Sequence, residues 1–395
     1  MNRLQADVIV VGGGFMGAAS AFFLRRRGRS VILIERDLVG QQASGVNFGN
    51  VRRQGRFLPQ LPLAHRSRHI WGRLNELIGE DAEFLPTGHI RVCYCQDQLG
   101  VLERYAADAK DYGLELELFG RNALRDRFPF LGPEPIAGSF SPKDGHANPR
   151  LAAPAFARAA VREGVMLFEQ TEVLSIHKAG EDFEVASSDG RLFRSPAVLV
   201  TAGAWGGILS QQFDEPVPLA AHGPQMAVTE PMPYALEPVV GIASAKEEEI
   251  VYIRQVKRGN VVYGGGPRGP ALPDIRRAYV VPKNTLGQFE QVTRLVPALK
   301  QLSIIRTWSG IEGYLADEIP IMGPSARVAG LYYAFGFCGH GFQLGPGVGD
   351  VMAELIDRGE TTTPIEPFTI ARFATSKRPP KQTTSTPHLM ETAPR

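Results

Sequence analysis

Two glycine-dense segments carry the chemistry that can be read from this chain, one near each end. The first is Gly12-x-Gly14-x-x-Gly17, which follows the β-branched run Ala6–Val11 directly and is followed by Val31-Ile-Leu-Ile-Glu35. Gly12 permits a tight turn, Gly14 lets backbone approach a pyrophosphate, and Gly17 lets the next helix pack close to the sheet. The opening of that helix supplies free N–H groups and a positive dipole end for two phosphates. Glu35, at the end of the second strand, is placed to accept hydrogen bonds from ribose hydroxyls and would repel a 2′-phosphate. Strand, glycines, helix, strand and acid in this order predict a dinucleotide-binding βαβ unit.

The second segment is Ala334-Phe-Gly-Phe-Cys-Gly-His-Gly-Phe-Gln-Leu-Gly-Pro-Gly-Val-Gly349, running into Asp350–Arg358 with Gly359 beyond. It predicts a loop that opens a helix with Pro346 near its first position, a second set of free N–H groups. A nicotinamide has little use for that terminus. A flavin does, because reduction places negative charge on N1 and the C2 oxygen, which a fixed dipole stabilises.

The elements that position these segments follow from pattern. Ala18–Leu24 reads as the first helix, stopped by Gly28, with Arg25, Arg26 and Arg27 as its solvated last turn. Val173-Leu-Ser-Ile, Phe183-Glu-Val and Arg191-Leu-Phe read as a small meander. Ala197-Val-Leu-Val-Thr-Ala-Gly-Ala-Trp205 reads as a buried strand whose Ala202 and Gly203 let backbone near an adenosine. Met226-Ala-Val, Glu249-Ile-Val-Tyr-Ile-Arg and Asn260-Val-Val-Tyr-Gly alternate as antiparallel strands.

Composition bounds the rest. At 395 residues with 44% hydrophobic content, the chain predicts two or three domains around a large core. Its 43 basic and 41 acidic residues leave +2, which gives no bulk field for nucleic acid or anionic lipid. The first strand begins close to Met1, leaving no room for a signal peptide, and no apolar run reaches membrane-spanning length, so a cytoplasmic location is expected. Three cysteines make no disulfide framework; Cys93 and Cys95 are expected on one face of a strand. The eight histidines lack metal-ligand spacing. Residues 374–395, rich in Lys, Pro, Thr and Ser, read as a disordered tail.

Six ordered motifs, over roughly residues 5 to 373, resemble the FAD-dependent D-amino acid oxidase superfamily, in particular its sarcosine oxidase and glycine oxidase branch. They are Gly12–Gly17 with Glu35, Ala43–Arg52, Thr201–Trp205, Arg306–Gly310, Glu318–Gly323 and Gly336–Gln343. In look they stand nearest to the opine or D-hydroxyproline dehydrogenase beta subunits. The resemblance implies an α/β fold with a Rossmann-like FAD lobe of the glutathione reductase type and a second, α+β substrate lobe on an antiparallel sheet. The discontinuous FAD domain would comprise 1–84, 142–213 and 320–373, and the cap 85–141 and 214–319.

By the same resemblance the FAD would be noncovalent and would meet Gly12, Gly14, Phe15, Met16, Gly17, Glu35 and Arg36. Ser44, Gly45, Asn47 and Gly49 would follow along its ribityl or ring side, with Val173, Ala202, Gly203 and Trp205 toward the adenosine. Met322, Gly339, His340, Gly341, Phe342 and Gln343 would border the ring. Arg52, Tyr252, His340 and Gln343 would form the catalytic set. Two departures stand out. Gln343 occupies the place of a lysine that helps hold a substrate carboxylate in sarcosine oxidase-like monomers, so that task would pass to Arg52, Arg53, Arg254 or Arg268. The cysteine that links flavin covalently is missing from Ile311-Glu-Gly-Tyr-Leu, and Cys338 stands where a serine is usual, a candidate thiol beside the ring.

The implied reaction is oxidation of the C–N bond of a small amino acid or secondary amine, such as an opine, D-hydroxyproline, sarcosine or a D-amino acid. A hydride equivalent passes to flavin N5 and the imine hydrolyses. Partner subunits of a hetero-oligomeric dehydrogenase, or dioxygen, would take the electrons. Two alternatives stay open: a flavin-dependent 2-hydroxy acid or polyol phosphate dehydrogenase, and an electron-relay subunit without a substrate pocket of its own.

Overall fold

The computed structural model describes residues 3–374; beyond Ala374 the expected tail lies outside the described residues. Val8–Val11 is a central strand of a six-stranded sheet, with all four residues buried. The order is Ile321–Pro324, Leu331–Phe335, Ala197–Val200, Val8–Val11, Val31–Ile34, Met166–Phe168. All neighbours are parallel except the pair formed by Ile321–Pro324 and Leu331–Phe335. Both faces are covered, which is why these strands are continuous apolar runs rather than alternating ones. Val8 and Val10 pack under helices on one side. Ile9 and Val11 pack against Phe183, Val185 and Phe193 on the other. Those aromatic and aliphatic side chains belong to the meander of Val173–Ala179, Asp182–Ser187 and Leu192–Ser195, which Arg3–Gln5 joins in parallel.

Two helices meet across the covered face. Phe15–Arg26 follows the glycine turn, and Gly341–Arg358 brings the far end of the chain against it. Glycines make the close approach possible. A Cβ at Gly345 would lie 2.5 Å from Phe15 Cδ1, and one at Gly349 would lie 2.5 Å from Ala19 Cβ. A third helix, Leu61–Gly72, packs along Gly347, where a Cβ would come within 2.7 Å of Ser67 Cβ.

Pro346 does not open the last helix; it lies inside, five residues past the start at Gly341. A proline there removes one ladder bond, and the neighbouring helix repairs the break. Ser67 Oγ donates to Gln343 O and accepts from Gly347 N at 3.1 Å, while Trp71 Nε1 donates to Gln343 O at 2.9 Å. A side chain inserted into the ladder is a recognised origin of helix kinks.

The second lobe is an eight-stranded sheet in the order Ile304–Ser309, Gln225–Pro231, Asn260–Gly265, Val251–Gln255, Val239–Ile242, His89–Cys93, Ala137–Ser141, Glu117–Gly120. All of these strands fall within 85–141 and 214–319. The sheet is antiparallel with one exception, since Val239–Ile242 runs parallel to His89–Cys93. Those strands come from separate stretches of chain, so no tight hairpin dictates their direction.

Two local readings are corrected. The strand stops at Cys93, and Cys95 is an exposed N-cap of the helix Gln96–Ala109, so the two thiols do not share a strand face. The turn forms because Gln98 Oε1 accepts from Tyr94 N at 2.8 Å. Two of the three arginines are also not merely solvated: Arg25 Nε donates to Glu163 O at 2.6 Å and Arg27 pairs with Asp350 at 3.2 Å, while Arg26 is exposed.

Replacing Gly349 by Val should push the two central helices apart and cost roughly 1–3 kcal/mol, as overpacked cores do. Thermal unfolding of the purified variant measures this, and an unchanged midpoint would contradict the close-packing account.

Candidate active site

The turn after Val11 is dictated by backbone crowding. Gly12 has φ +107°, and a Cβ there would lie 2.7 Å from Thr201 O. A Cβ at Gly17 would run into Gly12 O, so the helix can begin where it does only with glycine at both positions. Thr201 Oγ1 ties the turn down by donating to Gly12 O at 2.7 Å. Gly14 is the N-cap and offers no side-chain cap, so the first turn presents its N–H groups outward. Ser44 Oγ accepts from Phe15 N at 2.8 Å, which draws the short Ala43–Val46 helix onto this terminus.

Glu35 accepts from Gly13 N at 2.5 Å and from Asp37 N at 2.7 Å. Burial raises its carboxyl pKa, and these amide bonds oppose the rise. A carboxylate has about four acceptor positions, so two remain for a diol. Beyond it, the Arg36 guanidinium lies 4.4 Å from the centre of the Trp205 ring and is steadied by Glu172 at 3.5 Å. Val173, Ala202 and Gly203 line this end of the same cavity.

That cavity, of about 470 Å³, runs from Glu35 and Arg36 past Gly12, Gly14 and Ser44 to Arg52, Tyr252 and His340. Its size and mixed lining are those of small-molecule sites. At Gly14 a Cβ would meet only Ser44 Oγ, at 3.2 Å, so the cradle is open toward the cavity. A helix terminus whose N-cap residue has no side chain, a carboxylate with spare acceptor positions and a stacked cation at one end fit an extended dinucleotide. Phe15, Met16, Asn47, Gly49, Gly339, Gly341 and Phe342 also reach the wall. Asn47 is there as a brace: its Nδ2 donates to Ala43 O and Ser44 O at 3.0 and 2.9 Å, and its Oδ1 accepts from Gly49 N at 2.8 Å.

At the far end, His340 is the N-cap of the last helix. Its Nδ1 lies 3.3 Å from Arg52 Nη2, and its carbonyl accepts from Arg56 Nη1 at 3.2 Å. A guanidinium can only donate, so Nδ1 is the acceptor and the ring is neutral with its proton on Nε2. Burial, then repulsion from Arg52, Arg56 and Arg91, holds the imidazole pKa well below its ordinary value. Among the described residues, these three arginines have no carboxylate partner within ion-pair distance, in contrast to Arg53 with Asp144 at 2.7 Å. Burial and Arg52 push Arg56 down to about 9 and Arg91 down to about 10. Tyr252 lines the same cavity, raised to about 12 by burial and packed edge-on against Phe48 at 4.6 Å. Glu312, on Glu312–Tyr314, completes the wall, accepting from Tyr314 Oη and Gly339 N, each at 2.8 Å.

Several expected residues fall elsewhere. Gln343 is fully buried on the side of the last helix facing Leu61–Gly72, where its Nε2 donates to Ala64 O at 2.8 Å. Its Oε1 lacks a partner among the described residues. Gln343 is absent from the cavity wall because the helix begins at Gly341, which turns position 343 inward. Met322 is 1% exposed in the core, and Gly17 and Gly45 lie behind the wall as close-packing positions. Of the four arginines considered for a carboxylate, only Arg52 lines the cavity. Arg53 is held by buried Asp144, Arg254 donates to Phe48 O at 2.6 Å, and Arg268 lies over the Tyr314 ring at 3.9 Å. Cys338 is buried, its thiol pushed up to about 11 by burial, and its sulfur accepts from Leu315 N at 3.2 Å. It is not poised as a thiolate beside the cavity.

Arg56, Arg91, His89 and Glu312 went unread in the sequence although they line the site. One signal was present: Arg91 interrupts the apolar strand Ile90-Arg-Val, where a solvated face would show alternation over a longer run.

The model of the FAD-dependent oxidoreductase family DAO matches residues 7–355. The chain belongs to that family. FAD is therefore its cofactor, and it is an enzyme of the amino acid oxidase and dehydrogenase group. It is similar to glycine oxidase of Geobacillus kaustophilus, 28% identical across 93% of this chain and 97% of that protein. The beta subunit of sarcosine oxidase from Rhizobium meliloti is 26% identical across 93% of this chain and 88% of that protein. Among solved structures, L-proline dehydrogenase from P. horikoshii superimposes with a TM-score of 0.88 at 27% identity, covering 94% of this chain and 99% of the other. No helix among the described residues is long and apolar enough to cross a membrane, and none of their His, Cys, Asp and Glu side chains form a metal-holding group.

These contacts make two outcomes measurable. Gly14→Val keeps an allowed backbone but fills the cradle, so the purified variant should fold and lose its flavin absorbance; full flavin content would contradict the phosphate assignment. His89, His146 and His340 are buried and held neutral, His146 down to about 3. Unfolded histidines gain a proton below about pH 6.5, and the native ones do not, so stability is full above that pH and falls as acid is added. Unfolding midpoints between about pH 6.5 and 4.5 should drop steadily; a flat profile would count against buried neutral imidazoles.

Proposed function

We propose that this enzyme oxidises the C–N bond of a small amino or imino acid whose carboxylate rests on Arg52, Arg56 and Arg91. One observation carries the reading: three guanidiniums line the cavity, Arg52 repels Arg56 and Arg91, and none of the three has an ion-pair partner among the described residues, since Asp144, whose charge reaches Arg52 and Arg56, is engaged by Arg53. Cations left in that state favour an anionic ligand, and a planar fork suits a carboxylate bidentately. The names of the relatives point the same way, since glycine, sarcosine and proline all carry a carboxylate beside the reacting nitrogen.

When bound, FAD supplies the acceptor for the two electrons removed from the C–N bond. The chain's own contribution is placement and charge. Arg52, Arg56 and Arg91 fix the carboxylate end, which sets where the α-carbon stands. His340, neutral and anchored through Nδ1, offers an Nε2–H as a donor. The first turn of Gly341–Arg358 offers a positive dipole end to charge that accumulates nearby. Tyr252 brings a neutral hydroxyl to the same wall, suited to hydrogen bonding with a substrate. Transfer of the electrons to a partner protein draws its support from relatives that are themselves subunits, those of sarcosine oxidase and opine oxidase in Rhizobium meliloti. Gln343 lends that route nothing, because its side chain lies outside the cavity.

An anaerobic screen of glycine, sarcosine, D- and L-proline, opines and 2-hydroxy acids, followed by flavin bleaching, tests the reading. An amino or imino acid should bleach the enzyme; bleaching by hydroxy acids alone would overturn it. With the substrate identified, Arg91→Met should lower kcat/KM roughly 10- to 100-fold, mainly through KM, as loss of one charge-assisted pair implies.

A further inference from the structure

Among the described residues, Glu312 is the carboxylate that joins the wall at the arginine end, and the reading above leaves it without a task. Its position is built rather than incidental. Glycine flanks it on one side at Gly313, where a Cβ would come within 3.0 Å of Ala204 Cα, so the strand is pressed close beneath it. The Tyr314 hydroxyl and the Gly339 amide hold one oxygen each, leaving about two acceptor positions on a side chain that faces the cavity. Gly339 is the residue before His340, and His340 contacts both Arg52 and Arg56. The acid and the cations are thus joined through two consecutive residues, and Tyr252 feels the charge of both Glu312 and Arg52. The arrangement suits a molecule with opposite charges on neighbouring atoms.

We propose that Glu312 binds the substrate's ammonium and takes its surplus proton, so that the cavity recognises a zwitterion by two poles. This rests on the carboxylate reading given above. In the step assigned to it, an N–H bond of the ammonium breaks, its electron pair stays on nitrogen, and the proton goes to a Glu312 oxygen. The neutral amine then has the lone pair that a C=N bond requires. A substrate whose reacting atom is a hydroxyl brings no cation and leaves this acid buried and unpaired, a source of discrimination in favour of amines.

The groups around Glu312 support the assignment. Burial raises its pKa, which suits a proton acceptor, while Arg268 and the two hydrogen bonds restrain the rise. Tyr314, Tyr252 and Cys338 are all pushed above their ordinary values and stay neutral. His222, paired in register with Glu312 and edge-on to Tyr314 at 5.5 Å, is held below its ordinary value. Arg268 is the fixed cation on this side, and it is engaged over the Tyr314 ring with Glu318 at 4.0 Å. Glu35 and Glu172, the other acids on the cavity wall among the described residues, stand at its opposite end.

The test uses the FAD-loaded enzyme and two ligands that cannot be oxidised, 2-aminoisobutyrate and pivalate, which has a methyl group in place of the ammonium, with binding read from the flavin spectrum. Glu312→Gln still accepts from Gly339 N through its Oε1, reverses the other bond so that Nε2 donates to Tyr314 Oη, and removes the charge. It should weaken 2-aminoisobutyrate roughly 10- to 100-fold and leave pivalate unchanged. Equal affinity of the variant and the parent for 2-aminoisobutyrate would overturn the assignment. So would a parallel loss of both ligands at unchanged flavin content and melting temperature. Pivalate binding that survives Arg91→Met intact would instead strike the carboxylate reading, which keeps the two failures apart.

Discussion

Close contact between the first and last long helices is the constraint on which the rest of this molecule depends. Phe15 and Ala19 can lie against Gly345 and Gly349 only because no side chain intervenes. That contact brings a helix terminus from each end of the chain to a single cavity. Side chains at Gly345 and Gly349 would hold the helices farther apart and draw the turn at Gly14 away from the turn at His340. The six-stranded sheet beneath them supplies a rigid floor, and the crevice at its strand ends is where open α/β sheets place ligands.

The second lobe is joined to this frame at a few directed points. Trp308 Nε1 donates to Val46 O at 2.7 Å, at the end of the short helix whose Ser44 accepts from Phe15 N in the glycine turn. Arg276 reaches Asp37 at 2.7 Å, two residues beyond Glu35. The sheet that carries Tyr252 and Arg91 is therefore referenced to the same backbone that forms the glycine turn and the Glu35 end of the cavity. Position across a lobe boundary is thereby controlled by hydrogen bonds rather than by apolar area alone.

What the sequence disclosed and what it withheld divide along physical lines. Gly12, Gly17 and Glu35 were legible because their demands are local: a positive φ, a close approach of helix to turn, an acid at a strand end. The family and the two-lobe α/β architecture followed from six such segments in order. The arginine wall was not legible, because Arg91 comes to Arg52 and Arg56 through sheet register, and register is set by tertiary pairing. Gln343 was misplaced for a related reason. A helix that begins at Gly341 instead of near Pro346 turns position 343 inward, and the Ser67 hydroxyl and Trp71 indole of another helix satisfy the ladder groups that this beginning leaves open. Arg53 and Arg254 had the right chemistry, but Asp144 and Phe48 O had already engaged them.

Ser67 has a wider consequence. Its hydroxyl completes the backbone ladder of a helix to which it does not belong, so the opening turn of Gly341–Arg358 is aimed from outside. The glycine-rich motif around His340 is accordingly only half of a device. Grafted onto another scaffold without the Leu61–Gly72 neighbour, it would carry the same amides with nothing to orient them, and a lineage that altered Ser67 would retune the ring end of the cavity without touching a single residue that lines it.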